Sequence, residues 1–99
     1  MFRRLAPDVQ STEGIRLHFP DSEVATVRVS DRSILAGLSL RETALRSEYG
    51  VTLLAILREG RTLTNPSADI VLGGGDRLIV FGGPREVSNA AALARGVDA

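Results

Sequence analysis

Between Ser39 and Gly82 the spacing of apolar and polar positions changes period from helical to extended, and each change is marked by a start or stop signal. Leu40, Ala44, Leu45 and Tyr49 share one helical face, while Arg41, Glu42, Arg46 and Glu48 largely occupy the other. Ser39 and Glu42 are spaced as a capping box, and Gly50 supplies a left-handed residue that closes a helix, so a capped helix is predicted over 39–50. From Val51 to Leu57 nearly every position is aliphatic or β-branched, and Glu59-Gly60 turns the chain into Arg61 to Asn65, which predicts a hairpin. Asn65-Pro66-Ser67-Ala68-Asp69 breaks the second arm. Gly73 to Gly75 form a turn, Arg77 to Phe81 read as a further strand, and Pro84 suits the first turn of a final helix reaching about Arg95.

The first 23 residues differ. Pro7 to Gly14 is polar and rich in turn formers, after which Ile15, Leu17 and Phe19 alternate with Arg16 and His18. This segment reads either as an extra strand before the Pro20-Asp21-Ser22 turn or as a linker.

Composition excludes several functions. The 99 residues, 43% of them hydrophobic, suffice for one core; a chain of this size leaves roughly a third of its unfolded-state surface exposed, so stability is modest unless a partner covers more. Twelve basic residues balance twelve acidic ones, which leaves no positive field to attract nucleic acid. Every basic residue is arginine, so no lysine is present for Schiff-base chemistry or a Walker motif. Cysteine is absent, which removes disulfides and thiolate metal ligands and is compatible with the cytosol. No apolar run reaches the ~20 residues of a membrane span, and Met1 to Arg4 lacks the apolar core of a secretory signal.

Candidate chemistry is sparse. Gly73-Gly74-Gly75 lacks dinucleotide-fingerprint spacing and precedes a strand, where that fingerprint must precede a helix, so it reads as a turn. His18, the single histidine, lies on the polar side of its alternating segment without metal-binding companions. Asp69 and Asp76 occupy places where Asp closes turns, and no serine sits in a nucleophile elbow. The expectation is a non-enzymatic domain without metal or cofactor.

Leu-Ala-Gly-Leu-Ser-Leu-Arg-Glu at 35–42, Tyr-Gly-Val at 49–51, Leu-Ala-Ile-Leu-Arg-Glu-Gly at 54–60, Asn-Pro-Ser-Ala-Asp at 65–69 and Gly-Asp-Arg-Leu-Ile-Val-Phe-Gly at 75–82 together resemble the TrkA-C domain, also called the RCK C-terminal domain. This is a regulatory domain of potassium and cation transport proteins. The resemblance divides the chain into residues 1–23 (linker or extra strand), a domain over 24–95, and a tail at 96–99. It implies a small α/β fold of the α+β type in βαβββα order. A mixed, mainly antiparallel sheet would carry the capped helix and the C-terminal helix.

Strand alternation places Val51, Leu53, Ala55 and Leu57 on one face and Leu54 and Ile56 on the other, so both faces of this strand are apolar. The short helices can cover one face, and a second copy of the chain is the simplest cover for the other. The predicted homodimer interface is therefore Val51, Leu53, Ala55 and Leu57. TrkA-C domains generally pair in this way, with a ligand site at the interface.

In one branch of the family that site binds cyclic di-AMP through an aliphatic pair, then an Asp and an Arg, then an Asn followed by an aliphatic residue. Leu53-Leu54 match the pair and Asn65 the Asn. Leu57 stands in place of the Asp, Glu59 in place of the Arg and Pro66 in place of the last aliphatic residue, which argues against cyclic di-AMP. Arg58 and Arg61 offer replacement charges, although Arg58 projects from the other face; these hairpin charges also read as a solvated strand end. The candidate ligand residues are thus Leu53, Leu54, Leu57, Arg58, Arg61 and Asn65. The resemblance implies a cytoplasmic, homodimeric, ligand-sensing regulatory domain of a potassium or monovalent cation channel or transporter, on the same or a separate chain. The alternative is an assembly module that binds no small molecule.

Overall fold

The structure is a computed structural model that describes residues 16–96. Met1 to Arg4, Pro7 to Gly14, Ile15 and most of the 96–99 tail lie outside the described residues. The elements are β1 (Arg16–His18), β2 (Glu23–Arg28), α1 (Leu40–Thr43), β3 (Thr52–Arg58), β4 (Arg61–Thr64), β5 (Arg77–Gly82) and α2 (Pro84–Arg95). The strands form one sheet in the order β1-β2-β5-β3-β4, and every neighbouring pair is antiparallel. The small α+β architecture expected from the sequence is the one observed.

One face of the sheet is packed. Ala25 and Val27 of β2, Leu78 and Val80 of β5 and Ile56 of β3 meet Val87, Ala90 and Ala94 of α2 in a single buried cluster. The small alanines let α2 lie close to the strands, and Pro84 occupies its first turn as expected from the missing amide hydrogen. The 29–38 segment closes the same core with Val29 and Leu35; Ser33 Oγ donates to Leu93 O at 2.8 Å, and Ser30 N donates to Ala94 O at 2.8 Å.

The hairpin forms at the expected place, with Glu59 (φ 49°) and Gly60 (φ 80°) as its tip. Positive φ at both central residues is what a two-residue turn needs to follow the right-handed twist of its strands.

Strand β3 differs from simple alternation. Leu53 lies opposite Val80, Ala55 opposite Ile79 and Leu57 opposite Arg77, so Leu54 is an extra residue in a β-bulge. The expected single face of Val51, Leu53, Ala55 and Leu57 is therefore split. Val51 and Leu53 belong with the packed core, whereas Ala55 and Leu57 lie on the opposite, helix-free face.

The helix expected over 39–50 is also corrected. It spans only Leu40–Thr43 and ends at Ala44, whose φ of 55° and ψ of 28° are left-handed. Thr43 supplies a physical cause. Its buried hydroxyl donates to Leu40 O at 2.6 Å and accepts from Leu45 N at 3.2 Å, which offers the backbone an alternative to continued helical pairing. Leu45 is buried nonetheless, and Gly50 takes the expected left-handed conformation at φ 72°.

Candidate ligand-binding site

Three backbone donors at the start of α1 organise the site. Leu40 N donates to Ile70 O at 2.8 Å and Arg41 N to Ala68 O at 2.9 Å. Glu42 N donates to Ser39 Oγ at 3.1 Å, while Glu42 Oε1 accepts from Ser39 N at 2.8 Å, so the predicted capping box is present. The amides that a helix start leaves without internal partners are thus satisfied partly by the 68–70 loop, which ties that loop to α1.

Between this assembly and the start of β3 lies a groove of about 690 Å³. Leu40, Ala44, Leu45, Val51 and Leu53 provide apolar walls, Pro66 and Ala68 close one side, and Arg41, Arg46, Ser47, Thr52 and Asn65 supply polar groups. Arg41 Nη1 is engaged by Asp69 Oδ1. Arg46 and the Asn65 side chain have no ion-pair or hydrogen-bond partner among the described residues. Asn65 itself is left-handed (φ 50°), a conformation Asn tolerates better than most residues, and its amide donates to Leu54 O at 3.2 Å, which brings the 65–68 loop beside β3. A groove with an apolar floor, one free guanidinium and one free carboxamide suits a small ligand with an anionic group.

The candidate residues divide between the two ends of the hairpin. Leu53 and Asn65 line the groove, and Leu54 bulges beside it at 43% exposure. Leu57, Arg58 and Arg61 lie at the other end of the strand pair, where Leu57 is opposite Thr62 and Arg58 opposite Arg61.

Arg58 is engaged within the fold. Its Nε donates to Asp76 Oδ1 at 2.9 Å, and its Nη2 to Asp76 Oδ2 at 2.6 Å and to Val71 O at 2.8 Å, so three of its five N–H donors are engaged inside the fold. Asp76 also accepts from Gly73 N at 2.8 Å and closes the glycine turn. Burial raises the Asp76 carboxyl pKa, but the Arg58 hydrogen bonds, the Gly73 amide and the Arg58 charge outweigh it and hold the group below the ordinary carboxylate range. Asp69 and Asp76 are engaged by different arginines and make no carboxylate pair.

Sequence periodicity missed Arg41 and Arg46, because a continuous helix would have spread them along its solvated face. The left-handed turn at Ala44 is what aims the following segment at the groove, and no residue of the usual left-handed type announces it. His18, expected at the surface, is exposed, with Nδ1 3.3 Å from Glu23 Oε1.

Known proteins resemble this chain in sequence and in fold. A family model for the TrkA-C domain matches residues 24–95. The Ktr system potassium uptake protein C of Bacillus subtilis is 30% identical over 88 residues, covering 89% of this chain and 40% of that protein. The K(+)/H(+) antiporter subunit KhtT of Bacillus subtilis is 31% identical over 74 residues, covering 74% of the chain and 45% of the relative. The chain thus spans less than half the length of these curated relatives. Among solved structures, the RCK_C domain dimer of S. agalactiae BusR in complex with c-di-AMP superposes with a TM-score of 0.67 at 24% identity, covering 76% of this chain and 91% of that one. The RCK C domain of the potassium transport protein KtrA in complex with c-di-AMP gives a TM-score of 0.64 at 21% identity, with coverage of 90% and 93%. At these identities the two structural likenesses establish the fold alone.

Proposed function

The chain belongs to the TrkA-C domain family, and from that premise we propose that it is a ligand-sensing, dimerising regulatory domain of a potassium or other monovalent cation transport system. The observation that carries this reading is the groove between α1, β3 and the 65–68 loop, where Arg46 and Asn65 present free polar groups above an apolar floor. The relatives named as potassium uptake and antiport proteins supply the transport context.

The domain works by differential binding. A ligand that fits one relative arrangement of two copies better than another shifts the pair toward it, and the rotation is passed to the gate of an attached channel or transporter. The same reading places the domain on the cytoplasmic side of the membrane, with the bilayer crossed by other parts of the system. Among the described residues no helix is long and apolar enough to span it. Nothing in this role requires a catalytic step.

The helix-free sheet face supplies the dimer surface. On it Leu57 and Ile79 are half-buried and Phe81 is exposed, Ala55 beside Ile79 is already covered, and Leu17 (54% exposed) and Phe19 (50%) extend the apolar area at the β1 edge. That surface also favours a second reading, an assembly module without a ligand.

Cyclic di-AMP is disfavoured as the ligand. Leu57 and Glu59 replace the polar pair expected for it, and Arg58, which would compensate, is held by Asp76. Thermal melts of the chain with potassium, sodium, divalent cations, adenine nucleotides and cyclic dinucleotides test the sensor reading, because a ligand that binds only the folded state stabilises it by RT ln(1 + [L]/Kd). One compound that raises the melting temperature is the expected result. A flat response across the panel would leave the assembly reading.

A further inference from the structure

The two arginine–aspartate ion pairs among the described residues are built differently. Arg58 holds Asp76 through two donors, and that carboxylate is buried and also accepts from the Gly73 amide. Arg41 holds Asp69 through Nη1 alone, and the two side chains are 66% and 76% exposed. A single contact between two solvated side chains contributes little to folding.

The position of this weak pair gives it another use. Arg41 lines the groove, none of the lining residues is acidic, and Asp69 follows Ala68, which closes one side. The loop that carries Asp69 is held without the pair: Leu40 N and Arg41 N donate to Ile70 O and Ala68 O at 2.8 and 2.9 Å, and Asp69 N donates to Ser67 Oγ at 3.1 Å. The Asp69 carboxylate can therefore swing away by side-chain rotation while the backbone stays tied to α1. The guanidinium it releases then joins Arg46 as a second available cation of the groove.

Taking the groove as the ligand site of this domain, we propose that Asp69 is a built-in competitor for it: its carboxylate occupies Arg41 while the groove is empty and is displaced when the anionic group of the ligand enters. A carboxylate tethered this close acts at an effective concentration on the order of millimolar, so a dilute anion displaces it only by binding Arg41 better than it does. Asp69 uses a single donor of the guanidinium. An anion that offers two acceptors to the planar fork makes the stronger, bidentate contact and wins the exchange. The latch thus rejects weak anions and gives a neutral ligand of the same shape no gain from Arg41.

The test uses two fluorescent probes, anilinonaphthalene sulfonate and phenylnaphthylamine, which share an aromatic body and differ by the sulfonate. Both are titrated into wild type, Asp69→Asn, Asp69→Glu and Arg46→Gln. The sulfonate should bind Asp69→Asn about two- to fivefold more tightly than wild type, the effect of an exposed ion pair that no longer has to be broken. Added salt should shrink that difference. Phenylnaphthylamine should bind the two chains equally, and Asp69→Glu, which keeps the charge, should stay near wild type with both probes. Equal sulfonate binding by wild type and Asp69→Asn, together with weaker binding by Arg46→Gln, would overturn the latch and leave the groove as an anion site. Wild-type sulfonate affinity in Arg46→Gln would remove the groove itself, and the latch with it. Equal tightening of both probes in Asp69→Asn would also overturn the proposal, because it would reflect a loosened loop in place of a released cation.

Discussion

Arg58 grips Asp76 through both carboxylate oxygens, at 2.9 Å from Nε and 2.6 Å from Nη2, and so joins the hairpin to the glycine turn that precedes β5. Arg58 is about one-third exposed and Asp76 only 5% exposed. The pair is therefore shielded enough for its loss to be felt and not so deep that burial cancels the gain. Replacing Arg58 by Met should cost about 1–3 kcal/mol at neutral pH, the range for a hydrogen bond to a charged group that leaves its partner unsatisfied. Chemical denaturation of the variant measures this.

The same pair sets a pH dependence. The folded Asp76 carboxyl sits below its unfolded value, so its contribution is fully present above the ordinary Asp range near 3.9 and is lost as pH falls through the folded value. Acid titration of the melting temperature should therefore drop more steeply in wild type than in Asp76→Asn, which has no carboxylate to protonate. Parallel curves would show that other carboxylates govern the acid response.

At Ala44 two backbone descriptions predict opposite signs. A left-handed alanine is strained, so Ala44→Gly should stabilise the chain by about 0.5–1 kcal/mol. In a continuous helix over 39–50 the same substitution would destabilise by about 1 kcal/mol. The sign of the change in a urea titration decides between them.

The elements legible in the sequence were those with local punctuation. The capping box at Ser39 and Glu42, the Glu59-Gly60 turn, the glycine turn closed by Asp76 and the Pro84 helix start all hold in the structure. The misread elements depend on events without a local signal. The bulge at Leu54 shows only in the cross-strand register, and it moves Val51 and Leu53 to the face opposite Ala55 and Leu57. The turn at Ala44 rests on a threonine hydroxyl competing for the backbone, and it brings the exposed Arg46 to the rim of the groove. Tertiary pairing likewise decided Arg58. Its partner lies 18 residues away, beyond the reach of any local pattern.

Dimerisation through the helix-free face makes Leu57 a point of attack. Leu57→Arg would set a third guanidinium beside Arg77 and Arg28 and remove apolar area from the patch. Light scattering after size exclusion at micromolar concentration should give about twice the chain mass for wild type. For the variant, the mass should move toward that of the monomer while the circular dichroism stays unchanged. A wild-type chain that runs as a clean monomer would remove the dimer from the proposed function.

The sensor claim is tested most directly by calorimetric titration of the compound that shifts the melt, carried out on wild type, Arg46→Gln and Asn65→Ala. The groove account predicts saturable binding to wild type. Loss of the Asn65 amide should weaken it by about 0.5–1.5 kcal/mol and loss of the Arg46 charge by about 1.5–3 kcal/mol, with both variants folded. Wild-type affinity retained in both variants would contradict the account, because the ligand would then be held somewhere other than the groove between α1, β3 and the 65–68 loop.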